Sequence, residues 1–193
     1  MKYNAILLIG PPGAGKGTQG KVLGTVPNYF HMSCGDVFRS LTVDSDLARV
    51  FLDYSGRGEL VPDEYTVRLW RESIQARQQA GQFRPEADTL VLDGLPRNRT
   101  QAELLSATLE VWAVFHLVCP NREQLVLRLQ RRALRENRLD DANLEVIRQR
   151  LATFEEETRP ILDYYGVKLV HEMDATRRPV QVLHNILEVL TAF

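Results

Sequence analysis

Gly10-Pro11-Pro12-Gly13-Ala14-Gly15-Lys16-Gly17-Thr18 follows directly on an apolar run at residues 5–9. Apolar residues that give way to glycines, and then to helical spacing, read as strand, loop and helix. Four glycines in nine residues let the backbone turn successive N–H groups toward one anion. Lys16 adds a mobile cation where the helix is expected to start, and the helix adds the positive end of its dipole. Together they predict a cradle for the β- and γ-phosphates of a nucleotide.

Outward from this loop, further apolar runs at 29–32, 89–92, 111–118 and 167–170 read as buried strands. Helical spacing occupies 16–23, 37–41 with a second stretch to 54, 64–80, 101–105, 122–135, 144–165 and 179–190. Strands alternating with helices predict an α/β fold, a parallel sheet covered on both faces. Asn121 is placed to cap the helix at Arg122, and Pro179 suits the first turn of the last helix. Two stretches leave the alternation, 33–62 and 131–142. Excursions from a rigid core are where lids and clamps are built.

The 193 residues, 44% of them hydrophobic, suit one domain. A formal net charge of −1 argues against a general nucleic-acid binder, which needs a basic surplus. The basic residues are twenty Arg and four Lys, a bias toward the planar fork that grips phosphate. Two distant cysteines, Cys34 and Cys119, permit no disulfide framework and no four-cysteine zinc site. No run approaches a membrane span, and the first apolar stretch is too short for a signal peptide, so a cytoplasmic protein is expected. With no coiled-coil heptad, a monomer is expected.

Arg39, three residues after Asp36, can reach an anion across the crevice from the glycine loop, because ligands of open parallel sheets bind beyond the carboxyl ends of the strands. Asp93 closes the run at 89–92 and is expected at a strand tip. There it can hold the water shell of Mg²⁺ or cap the following turn. Arg97 lies four residues on. Arg128, Arg131, Arg132, Arg135, Arg138, Arg148 and Arg150 fall within 23 residues. Such a set can close over a polyphosphate, with Arg131, Arg135 and Arg148 the ones expected to be solvated. Asp140 and Asp141 either pair with these arginines or cap the helix near Asn143.

In order and spacing, GPPGAGKGT at 10–18, SCGDVFR at 33–39, DGLPR at 93–97 with Gln101, and RLDD at 138–141 with Arg150 resemble the adenylate kinase family of nucleoside monophosphate kinases. In that family, as here, a glycine follows the loop lysine and threonine comes next. The resemblance runs from Ile6 to Thr176. It implies a P-loop NTPase-type core with a five-stranded parallel sheet (1–32, 63–130 and 143–193), a monophosphate-binding insertion (33–62) and a short lid (131–142). The activity implied is Mg-dependent transfer from ATP to AMP giving two ADP, without zinc.

Residue by residue, the resemblance places Gly13, Ala14, Gly15, Lys16, Gly17 and Thr18 on the donor phosphates. Arg39 and Arg97, with Gly94 beside them, grip the AMP phosphate. Gln101 meets the adenine edge, and Gly58, Glu59, Leu60 and Val61 line the AMP base. Arg128 stacks on the ATP adenine, which Thr176 to Arg178 also touch. Lys16, Arg39, Arg97, Arg132, Arg138 and Arg150 are the implied catalytic set. Cys34 stands where the adenylate kinases usually have Thr and the UMP/CMP kinases Ala, and is a candidate near-site thiol open to oxidation. Pro96-Arg97-Asn98 resembles the pyrimidine kinases, so a UMP/CMP or broad-specificity kinase is the alternative. A P-loop switch without turnover is a third reading.

Overall fold

The computed structural model describes residues 2–42, 45–136, 138 and 141–192. Strands β1 (Tyr3–Ile9), β2 (Tyr29–Ser33), β3 (Thr89–Asp93), β4 (Leu109–Val118) and β5 (Val170–Asp174) form one sheet in the order β2-β3-β1-β4-β5. Every pairing is parallel, with Ile6 beside Val91 and Leu7 beside Val114. The strand carrying the glycine loop is therefore the middle one.

Strand side chains alternate between faces, so β1 feeds two cores. Ala5, Leu7 and Ile9 pack with Trp70, Phe83, Leu92 and Leu105, while Ile6 and Leu8 pack with Leu23, Phe115, Leu129 and Ile186. These five of the seven β1 residues are at most 3% exposed, which is why the run at 5–9 is apolar throughout. Helices α2 (Cys34–Arg39), α3 (Asp46–Arg57), α4 (Asp63–Gln79) and α5 (Arg99–Ser106) lie on the first face. On the second lie α1 (Lys16–Leu23), α6 (Arg122–Glu136), α7 (Leu144–Thr153) and α9 (Pro179–Leu190). Helix α1 sits hard against β2. A Cβ on Gly20 would lie 2.3 Å from His31 Nε2, and one on Gly24 would lie 2.7 Å from His31 Cβ.

Three expectations from sequence are corrected. Strand β5 is Val170–Asp174 rather than 167–170, and Val167 is 93% exposed. β5 is an edge strand whose His171, Glu172 and Asp174 are only partly covered, so apolar content marks its first residue and not its course. Helix α2 begins at Cys34, earlier than 37, because the Ser33 hydroxyl accepts from Asp36 N at 3.3 Å and caps it. The expected helix over 144–165 is interrupted. After α7 comes a π turn, Phe154–Thr158, closed by Arg159 N donating to Phe154 O at 2.8 Å, and then α8 (Ile161–Tyr165). Pro160 follows at once. It has no N–H to continue the α ladder, and its ring conflicts with the carbonyl four residues earlier. The helix at Leu144 is capped by Asn143, whose side chain accepts from Glu145 N at 2.8 Å, not by Asp141, and Asp140 lies outside the described residues.

Candidate active site

A cavity of about 670 Å³ opens at the carboxyl ends of the strands. Its first wall is the loop after β1. Gly13 takes φ +84°, and a Cβ there would lie 3.0 Å from Leu125 O, so only glycine lets the loop turn against α6. Gly15 caps α1 in the left-handed region, leaving the first turn of the helix open toward the cavity. Lys16 Nζ donates to Gly10 O at 2.7 Å and to Pro11 O at 3.1 Å. The residue is partly buried, but its ammonium is enclosed, and that loss of hydration pulls the Lys16 pKa down to about 8. Asp93 opposes the shift, and Arg97, Arg132 and Arg150 add to it. Asp93 ends β3 beside the loop, 8% exposed, its Oδ2 3.3 Å from where a Cβ on Gly17 would be. A single acidic group fits Mg²⁺ that keeps most of its waters and takes its other ligands from phosphates. The described residues contain no group of three metal-ligating side chains.

The second wall faces the loop. Arg39 donates to Asp36 at 2.6 Å. Burial works to raise the Asp36 carboxyl, but this bond and the charges of Arg39 and Arg138 outweigh it and hold the group below the usual carboxylate range. Arg97 is held at three points. Its N donates to Gln101 Oε1 at 2.7 Å, its Nε donates to Gly94 O at 2.8 Å, and its carbonyl accepts from Thr158 Oγ1 at 2.7 Å.

Between the walls stand the lid arginines. Arg132 Nη2 lies 2.6 Å from Asp141, and Arg150 Nη1 pairs with the other oxygen of the same carboxylate. Asp141 is fully buried, so this is a desolvated clamp and not a surface pair. Arg138 contacts Glu136 at 2.7 Å and reaches Asp36 at 3.8 Å, joining the segment after α6 to α2. Arg128 donates to Ala175 O at 2.9 Å.

Of the residues expected at the site, the cavity wall holds Gly13 to Thr18, Arg39, Gly58, Glu59, Leu60, Asp93, Gly94, Arg97, Arg128, Arg132, Arg138 and Arg150. Cys34, Val61, Gln101, Thr176 and Arg178 lie off it. Cys34 and Val61 belong to the first core. Cys34 is buried, and burial pushes its thiol up, which disfavours the reactive thiolate that oxidation at this near-site position would need. Gln101 is 1% exposed, its amide donating to Asp63 Oδ1 at 2.8 Å. Thr176 is turned onto Asp174, and Arg178 caps α9, so Ala175 and Arg177 are the residues of that loop on the wall. Arg131, Arg135 and Arg148 are all exposed, as expected, and Arg131 and Arg135 also border the cavity.

Sequence reasoning missed Thr153, Phe154 and Thr158, which line the acceptor side. It also gave Asp36 no role, although its spacing of three from Arg39 on one helix is a legible pairing signal.

The family model described as Adenylate kinase matches residues 8–170. The chain is 37% identical over 192 residues to an adenylate kinase of Thermobifida fusca, covering 96% of this chain and 97% of that one. It is 34% identical over 193 residues to an adenylate kinase of Rhodopirellula baltica, covering 96% and 94%. To an adenylate kinase of Flavobacterium psychrophilum it is 32% identical over 197 residues, covering 94% and 98%. With the glycine loop, the facing arginines and the braced lid all on one cavity, the chain belongs to the adenylate kinase family.

Proposed function

We propose that this protein transfers the γ-phosphoryl group of Mg·ATP reversibly to AMP, giving two ADP, and that it works as a cytoplasmic monomer. The supporting observation is that two separate anion-binding walls, Gly13 to Thr18 and Arg39 with Arg97, face each other across one cavity. A nucleotide switch has no use for the second wall.

ATP sets its β- and γ-phosphates on the N–H groups of the loop, and Lys16 leaves the carbonyls of Gly10 and Pro11 to meet them. Asp93 would hold the waters of Mg²⁺, which would supply charge neutralisation at the donor phosphates. Arg39 and Arg97 fix the AMP phosphate, an oxygen of which is already a competent nucleophile, so no side chain is needed as a base. Arg132, Arg138 and Arg150 then face the group in flight. Because Asp141 already orients Arg132 and Arg150, little reorganisation is left for the moment of transfer. The lid and the insertion, residues 131–142 and 33–62, exclude water. Arg128 and the loop at Ala175 to Arg177 flank the donor base.

Gln101 engages each end of its amide once, with Arg97 N–H and with Asp63. An amide has two hydrogens and two lone pairs, so one donor and one acceptor remain. Gln101 is 1% exposed and off the cavity wall, so these two groups meet N1 and N6 of adenine only where the acceptor side opens around the base. The acceptor-only carboxylate and the donor-only N–H fix which way the amide faces, and that direction opposes guanine and uracil.

The test is ADP formation by the purified chain with Mg·ATP and AMP, CMP, UMP or dGMP at matched concentration. A strong preference for AMP supports the proposal. Preference for a pyrimidine overturns the acceptor assignment, and absence of turnover with all four overturns the reaction.

A further inference from the structure

Thr153 and Thr158 stand at the two ends of the π turn and are buried, 6% and 8% exposed. Neither is charged or placed to touch a phosphate first, yet both hydroxyls are committed to the acceptor wall. Thr153 Oγ1 donates to Gly58 O at 3.0 Å, and Thr158 Oγ1 donates to Arg97 O at 2.7 Å. Gly58 ends α3 in the left-handed region, φ +74°, and opens the 58–60 edge of the cavity. Arg97 is the arginine of the opposite edge. These anchors lie 95 and 61 residues from their threonines in sequence. Arg150, paired with Asp141, stands in the last turn of α7, three residues before Thr153 on the same rod.

The π turn is what lets one rod serve both anchors. In an α-helix, residues five apart diverge by roughly 140° around the axis. A turn closed by i→i+5 bonds brings them nearer one face, and here that closure is the Arg159 N to Phe154 O bond. Phe154, between them, also lines the cavity.

We propose that Thr153 and Thr158 are positioning residues of the acceptor half-site, holding the main chains of Gly58 and Arg97 at a fixed separation from Arg150. The proposal rests on the reaction proposed above. Through Thr158 the guanidinium of Arg97 is aimed by its own backbone, which Gln101 holds from the other side. Loss of either hydroxyl leaves a carbonyl without its donor and lets one edge of the site drift.

The test is steady-state kinetics with each substrate varied, together with equilibrium titration of AMP without ATP, on the whole chain and on Thr158→Val, Thr153→Val and Thr158→Ser. Thr158→Val is expected to raise KM and Kd for AMP about tenfold, and Thr153→Val about threefold, while KM for ATP stays within about twofold. Thr158→Ser, which restores the hydroxyl, should return AMP binding to within about twofold of the parent. Unchanged AMP constants in both valine variants overturn the proposal, as do AMP and ATP constants that rise in step or a serine that fails to rescue. Thr153→Val, far from Arg97 in sequence, carries the comparison if Thr158→Val does not fold. A parent chain that forms no ADP overturns the reaction itself, and that is seen before any variant is compared.

Discussion

The glycine loop draws its groups from nine consecutive residues, whereas the facing wall takes Arg39 from α2 and Arg97 from the turn after β3, with Arg150 of α7 standing between the two walls. The loop works mainly through backbone N–H groups, whose directions follow from local φ and ψ. The facing wall and the arginines between work through side chains that only tertiary contacts can aim, and they spend Asp36, Asp141, Gln101 and two threonines on that aiming. A site built from backbone needs glycines. A site built from arginines needs partners for each arginine before the substrate arrives.

The comparison breaks most clearly at Arg97. Arg97→Ala is expected to lower kcat/KM for AMP by about 10²- to 10³-fold, with ATP affinity and melting temperature near those of the parent. ATP binding measured by titration would sink the separation of the walls if it fell equally. Next is the clamp. Asp141→Ala removes the buried carboxylate that Arg132 and Arg150 share and should cost about 3 kcal/mol in unfolding free energy. Denaturant unfolding measures it, and a loss under about 1 kcal/mol would make the clamp a surface pair.

The loop has its own signature in pH. Lys16 has a pKa of about 8 in the free protein, and bound phosphates raise it. Below that pH the ammonium is already charged and ATP affinity is flat. Above it affinity falls by up to about tenfold per unit, and binding takes up a proton. Calorimetry at pH 9 in two buffers of different ionisation enthalpy reads the uptake, and none would mean that Lys16 is charged throughout. The smallest effect is expected at Asp63. Asp63→Asn leaves the direction of the Gln101 amide to the Arg97 N–H alone and should reduce the preference for AMP over dGMP by about threefold, without changing the ATP constants.

The same contrast decides what could be read in advance. Gly13, Lys16 and the apolar run of β1 are local, and with the alternation of strands and helices they pointed to the parallel sheet and the donor wall, though not to the strand order. The arginines of the acceptor wall were visible as residues, and their convergence came from the ordered motifs. Their supports were not visible. Thr153 and Thr158 sit in an acidic stretch, Phe154-Glu155-Glu156-Glu157, that reads as a plain helix unless the effect of Pro160 on the turn before it is followed through. β5 was misplaced because an edge strand need bury only part of itself. In the loop after β5, the choice of Arg177 over Thr176 and Arg178 turns on Asp174 and on the cap of α9, which one residue of register decides.

Because all five strands point one way, the molecule has a working end and a handling end. The turns at 24–28, 81–88, 106–108 and 166–169 contribute nothing to the cavity wall. Val167 stands there almost wholly in solvent, and the two native cysteines are buried. A cysteine introduced at position 167 would be an addressable thiol for a dye, a bead or a surface, with the cavity facing away from whatever is attached. The proposed closure over the cavity could then be sought on single tethered molecules whose attachment lies far from it.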